Sequence, residues 1–211
     1  MARIIAVANQ KGGVGKTTTA VNLGASLAAT EKRTLIIDSD PQANATSALG
    51  FPKDPARRTL YQALILGESI ERITLDAKMD RLELIPSDKN LVGATVELVT
   101  MENREYRLKE SISRISEKYD YILIDCPPSL DLLTLNALAA SDAVLVPIQC
   151  EYLALEASPS CSTRSCACAG RSIHHSRSRA SCSRCTMIER PCRSKSPPIF
   201  AAFSAHRSSN P

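Results

Sequence analysis

No apolar run in this 211-residue sequence approaches the roughly 20 residues that a bilayer-spanning helix needs. The beginning, Met1-Ala2-Arg3, passes straight into the apolar stretch Ile4-Ile5-Ala6-Val7-Ala8 and has none of the layout of a secretory signal peptide. These two absences predict a soluble, cytoplasmic body and argue against a secreted or membrane-spanning one. Of 8 cysteines only Cys126 and Cys150 lie in residues 1–157, too few for a disulfide framework there. Beyond residue 157 the scarcities change sides. Residues 158–211 contain one acid, Glu189, one glycine, Gly170, and 9 basic residues, a net of +8, whereas residues 1–157 hold 17 basic and 21 acidic residues, a net of −4. The tail also holds six of the cysteines, all three histidines and 14 serines. The first stretch has the composition of an ordinary cytosolic enzyme; the second does not.

What is present at the start is more specific. The apolar run at residues 4–8 is followed by Lys11-Gly12-Gly13-Val14-Gly15-Lys16-Thr17-Thr18. Next comes a pattern in which Ala20, Leu23, Gly24, Leu27 and Ala28 recur at helical spacing. Strand, glycine loop and helix in that order make a phosphate-binding loop. The glycines let successive N–H groups turn inward on phosphate oxygens, and the helix N-terminus adds positive potential. Lys16 is placed to reach β- and γ-phosphates and the Thr17 hydroxyl to ligate Mg²⁺, so ATP or GTP is the expected ligand.

Two further strands end in acids. Thr34-Leu35-Ile36-Ile37 leads into Asp38-Ser39-Asp40-Pro41-Gln42, and Tyr121-Ile122-Leu123-Ile124 leads into Asp125-Cys126-Pro127-Pro128. Carboxylates at the C-terminal ends of buried strands lie where parallel sheets bind ligands. Asp125 is the candidate Walker B acid, holding Mg²⁺ through its water shell. For each aspartate the plainer alternative is a turn or helix cap after a strand.

The segments KGGVGKTTTAVNLGASLA, IIDSDPQANATSALG, LIPSDKNLVGA, MENREYRL and YILIDCPPSLDLLTLNALAASDAVLVPIQCEYLALEA resemble the ParA/Soj-type chromosome and plasmid partition ATPases, of the deviant Walker A (ParA/MinD) class. The resemblance implies that Lys11 crosses a dimer interface to the partner's nucleotide, as an arginine finger does. By the same match Asp40 orients or activates the attacking water and Asp38 sits near the metal's outer shell. It further implies an ATPase that forms a homodimer on ATP, binds DNA non-specifically, associates with the nucleoid, and answers to a ParB-type partner. MinD-like relatives carry a C-terminal amphipathic membrane helix, and nothing here reads as one. Iron-protein relatives need cysteines for a bridging cluster, but Cys126 falls in the Walker B turn, where it packs as a small hydrophobe. The family's DNA-contacting arginines and adenine-contacting segment would follow residue 157, and Arg177 and Arg179 are not their counterparts.

Strands are predicted near residues 3–8, 34–38, 82–85, 121–125 and 143–147. Helices are predicted near 16–29, 59–66, 88–100, 104–118 and 131–140, with another starting at 151–157. The alternation implies an α/β fold of the P-loop NTPase type, a mostly parallel sheet flanked by helices, whose C-terminal part is missing or scrambled. Residues 1–157 form an incomplete ATPase domain. The flank beyond the strand at 143–147 is expected to be left open, with marginal stability or aggregation as the consequence.

Residues 158–211 admit several readings. Cys166, Cys168, His174, His175, Cys182, Cys185 and Cys192 are candidate zinc ligands, and Arg171 to Arg184 is a candidate nucleic-acid arm. Disulfide pairing suits a cytosolic chain poorly. The reading that accounts for the composition is translation out of frame. Back-translated and read one base earlier, the tail becomes leucine-rich text containing NPSLTLEGVLLTMYD, similar to the family's own continuation. A disordered, metal-free tail follows. The alternative function is then an inactive frameshifted product, or a nucleotide-dependent regulatory switch without turnover.

Overall fold

The computed structural model of this protein describes residues 1–149 and 185–191. Its elements in chain order are β1 (Arg3–Val7), α1 (Lys16–Ala29), β2 (Thr34–Asp38), α2 (Asn44–Ala48), α3 (Leu60–Ile65), β3 (Leu75–Asp76) and β4 (Leu82–Ile85). There follow α4 (Leu91–Glu97), α5 (Arg107–Ser113), β5 (Tyr121–Asp125), α6 (Leu132–Ala140), β6 (Ala143–Gln149) and β7 (Cys185–Pro191). The seven strands make one sheet in the order β3-β4-β2-β5-β1-β6-β7. All pairings from β4 to β6 are parallel, and only the outer strands β3 and β7 run antiparallel.

The parallel strands read as continuous apolar runs because both faces of the sheet are covered. Their residues nevertheless divide with period two. On one face Ala6, Leu35, Ile37, Ile85, Ile122 and Ile124 pack with residues of α3, α4, α5 and α6. On the other, Ile5, Val7, Ile36, Leu84, Leu123 and Leu145 pack beneath α1 and α2. Helix α1 turns a row of Ala20, Gly24 and Ala28 to that second face, which lets it lie close to the sheet. At Gly24 the approach is tightest: a Cβ there would sit 2.6 Å from Ile36 Cδ1 and 3.0 Å from Ile36 Cγ1.

Helix boundaries are set locally. Thr59 and Gln62 close a capping box at the start of α3, and the Asp131 carboxylate caps α6 by accepting from the N–H groups of Leu133 and Thr134. The predicted helices at 88–100 and 104–118 are shorter, with the 3₁₀ turns Leu98–Thr100 and Ser116–Lys118 completing them. Two short elements have no counterpart in the sequence reading. Strand β3 is two residues long, and α2 is a five-residue turn entered through Ala43 at φ +56°.

One expectation is corrected at the far edge, where residues 185–191 form β7. The flank beyond β6 is therefore not open, because β7 pairs with β6 from Ala143↔Pro191 to Gln149↔Cys185. The physical reason is that the outer edge of β6 presents a row of unpaired N–H and C=O groups, a template that a β-prone segment such as Thr186-Met187-Ile188 can occupy. The helix predicted at 151–157 and the candidate zinc ligands Cys166, Cys168, His174, His175, Cys182 and Cys192 lie outside the described residues. Among the described residues no helix is long and apolar enough to cross a membrane.

Gly24→Val places branched methyl groups against Ile36, which is fully buried, so it should destabilise the fold by about 1–3 kcal/mol. Urea denaturation checks this; an unchanged midpoint would mean that α1 does not pack as described.

Candidate functional site

The C-terminal ends of β1, β5 and β2 lie side by side, with Val7 opposite Asp125 and Asp125 opposite Asp38. Lys11, Lys16, Thr17, Thr18, Asp38, Asp40 and Asp125 all sit on this edge or in the loops and first helical turn that leave it. The loop after β1 curls through Gly13 at φ +72° and Gly15 at φ +87°, left-handed conformations that suit glycine, and nothing lies within 4 Å of where their Cβ atoms would be. Gly12 is equally open. Helix α1 begins at Lys16 with no side-chain cap and no acid in its first turn, so no side chain competes for its N-terminal N–H groups and an anion is favoured there.

The loop is pinned in two places. Asn9 accepts the Lys11 N–H at 3.0 Å through Oδ1 and donates to the Pro147 carbonyl at 2.8 Å through Nδ2. Gln149 at the end of β6 donates to the Gly13 carbonyl at 3.1 Å. Neither residue was foreseen from the sequence. The polar Asn9 between strand and loop was a usable signal, whereas the reach of Gln149 across 136 positions was not.

Lys16 is 7% exposed and donates to the Lys11 carbonyl at 3.2 Å. Burial lowers its pKa, opposed by Asp125, Asp40 and Cys126. Thr17 is half-buried beside it, while Lys11 and Val14 are half-buried and buried and Thr18 is exposed. Asp125 is fully buried, and neither of its carboxylate oxygens has a hydrogen-bond partner. Burial pushes its pKa up to about 7; the nearby Thr17 hydroxyl pulls the other way without closing a hydrogen bond, Asp38 and Asp40 reinforce the rise, and Lys16 opposes it. A buried acid with two unused oxygens beside a hydroxyl and a phosphate cradle fits a hard cation. Among the described residues no group of three or more His, Cys, Asp or Glu is placed to hold a metal by itself. Mg²⁺ at a nucleotide has no need of one, since it takes one or two protein ligands and fills the rest with phosphates and water.

Asp38 is satisfied where Asp125 is not. Its Oδ2 accepts from the Thr46 N–H at 2.8 Å and the Thr46 hydroxyl at 2.7 Å, and its Oδ1 accepts the Asp40 N–H at 3.2 Å. Burial still outweighs these bonds and raises its pKa to about 6. Asp40 is 7% exposed, and its Oδ1 accepts the Gln42 N–H at 2.9 Å. Between them Ser39 gives both its N–H and its hydroxyl to the Asp125 carbonyl, at 3.0 and 2.7 Å. Cys126 is buried, its thiol pushed upward by that burial, in keeping with a packing role. The structure thus gathers Lys16, Thr17, Asp38, Asp40 and Asp125 at one end of the sheet. A separate cleft between the end of α3 and α5, lined by Ser69, Arg107, Glu110 and Arg114, contains none of them.

Comparison with known proteins finds relatives over most of this chain. The AAA domain family matches residues 2–162. The chromosome partitioning protein ParA of Myxococcus xanthus is 55% identical over 154 residues, 73% of this chain and 54% of that protein. The sporulation initiation inhibitor protein Soj of Bacillus subtilis is 53% identical over 156 residues, 74% of this chain and 62% of that protein. The chain therefore spans between about half and two thirds of the length of these curated relatives. Among solved structures, cobyrinic acid a,c-diamide synthase from Mycobacterium smegmatis with bound ADP and magnesium superimposes with a TM-score of 0.70 at 37% identity, over 77% of this chain and 69% of that one.

Because the folded-state pKa values of Asp38 and Asp125 lie above the ordinary carboxylate value, the folded protein holds these protons more tightly than the unfolded chain. Their contribution to stability is therefore greatest below about pH 4 and is lost as pH rises towards 7. Asp125→Asn should flatten that decline and stabilise the ligand-free protein at pH 8 by at least about 1 kcal/mol. Denaturant titrations at pH 5 and pH 8 measure it, and a variant with the parent's pH slope would show that Asp125 ionises at no cost.

Proposed function

Since the chain belongs to the AAA domain family and, within it, to the ParA/Soj-type partition ATPases, we propose that it binds ATP with Mg²⁺ through residues 11–18 and hydrolyses it to position chromosome or plasmid DNA. The observation that carries this reading is the fully buried Asp125 carboxylate, unpartnered, facing Lys16 and beside Thr17 at the mouth of an open glycine loop. The N–H groups of the loop and of the first turn of α1 bind phosphate oxygens, and Lys16 gives them its charge. Thr17 and Asp125 would hold Mg²⁺, Asp125 through water, with Asp38 in the outer shell. A Mg²⁺ ion held there would supply positive charge to the phosphates. Asp40 orients the attacking water and accepts its proton. Lys11 acts in trans, reaching the nucleotide of a second copy and neutralising charge on the transferring phosphoryl group. A homodimer formed on ATP, non-specific DNA, and a ParB-type protein that stimulates hydrolysis are the proposed partners. The setting is cytoplasmic and, for the intact protein, nucleoid-associated.

A second reading is favoured by the reversal of composition after residue 157 and by relatives that align over 154 to 156 residues. Residues 158–211 are the family's continuation read out of frame, which leaves this chain with reduced ATP affinity and without nucleotide-gated DNA binding. The nucleotide sequence around codons 156 to 159 decides it. A one-base shift there should open a frame encoding the leucine-rich continuation; an uninterrupted family-like frame as printed would refute the shift.

The residue roles separate in a mutant series. Lys16→Ala should weaken ATP-analogue binding by about 10- to 100-fold through loss of a charged hydrogen bond. Asp40→Ala should leave that affinity near the parent's and lower turnover by about 100-fold or more. Lys11→Ala should retain monomeric binding, lower turnover by at least about 100-fold, and fail to sediment as a dimer with ATP. Equal loss of affinity in the first two would overturn the assignment of Lys16 and Asp40, and an unaltered dimer with normal turnover would make Lys11 a surface residue.

A further inference from the structure

We propose that Thr46 is a positioning residue for the hydrolysis described above, holding Asp38 so that Asp38 in turn fixes Asp40; the inference rests on that reading of Asp40. Thr46 lies in α2, eight positions beyond Asp38, and is 3% exposed. Its N–H and its hydroxyl both donate to Asp38 Oδ2, at 2.8 and 2.7 Å, and the same hydroxyl oxygen accepts the Ser87 N–H at 3.0 Å. A hydroxyl offers one donor and a pair of acceptor sites, and here it bridges the tips of β2 and β4. Asp38 passes the restraint on, since its other oxygen takes the Asp40 N–H at 3.2 Å.

The rest of the Asp40 segment is held as closely. Ser39 is tied twice to the Asp125 carbonyl, and the Asp40 carboxylate is tied to the Gln42 N–H. The chain enters α2 through Ala43 at φ +56°, a left-handed conformation unfavourable for a residue with a side chain, and Thr46 follows three positions later. A buried carboxylate is also an expensive way to fill space, because ionising it away from water carries a penalty that an apolar residue would avoid. The arrangement makes sense as a device for placing Asp40: the aspartate that must meet a water is aimed by one that never leaves the core.

Thr46→Val keeps shape and removes only the bridging hydroxyl, leaving Asp38 one donor short and the buried Ser87 N–H without its acceptor. Thr46→Ser keeps the hydroxyl. In the full chain without nucleotide, amide hydrogen exchange at Asp40 and Gln42 should accelerate about 10-fold or more in Thr46→Val, with β1 and β5 exchanging as in the parent. Turnover at saturating ATP should fall about 10- to 100-fold, the usual cost of misplacing a catalytic group, while affinity for a non-hydrolysable analogue stays within about 3-fold. Thr46→Ser should return both readouts to the parent's range. Unchanged exchange at Asp40 and Gln42 in Thr46→Val overturns the proposal. So does acceleration shared equally by β1 and β5, a failure to fold, or a serine variant that behaves like the valine one, since each would make Thr46 merely structural. Absence of turnover in the parent protein would count against the ATPase reading and leave the exchange comparison to decide the positioning role.

Discussion

The parallel pairing of β5 with both β1 and β2 is the constraint on which the site depends. Val7, Asp125 and Asp38 occupy one line across three adjacent strands, so the phosphate loop after β1 and the acids ending β5 and β2 arrive at the same edge without any long-range search. That register is held by both cores at once. Ile36 and Leu123 bury on the α1 side, while Leu35, Ile37, Ile122 and Ile124 bury on the other. A shift of one residue would exchange the two faces and carry each tip acid to the wrong side of the sheet.

Charge at this edge is unbalanced in a way that a bound ligand resolves. Three acids that are 7% exposed or less, Asp38, Asp40 and Asp125, face one buried cation, Lys16. Asp38 is stabilised by donors from Thr46 and Asp40, yet Asp125 has none, and burial drives the pKa values of Asp38 and Asp125 upward. A divalent cation held at Asp125 would supply the positive charge that this edge lacks, and the open glycine loop leaves room for a phosphate.

The loop is also attached to the sheet's far side. Asn9 and Gln149 fasten it to the end of β6, the last parallel strand among the described residues. Strand β7 lies against that same strand along its full length.

Local sequence was enough to specify the phosphate loop, the strands that end in Asp38 and Asp125, and the alternating α/β architecture. Glycine spacing, apolar runs and the Lys16-Thr17 pair each act within a few residues of themselves. It was not enough for α2, five residues with little apolar periodicity, or for β3, which exists only because β4 offers an edge. Nor could it indicate that Asn9 and Gln149 hold the loop, that Thr46 joins Asp38 to Ser87, or that Asp125 is unpartnered while Asp38 is not. Those facts depend on hydrogen bonds between residues as many as 138 positions apart, together with the desolvation that packing imposes. Sequence patterns carry the period of an element and the chemistry of a motif; which polar groups meet, and which are buried without a partner, is decided when the strands are set side by side.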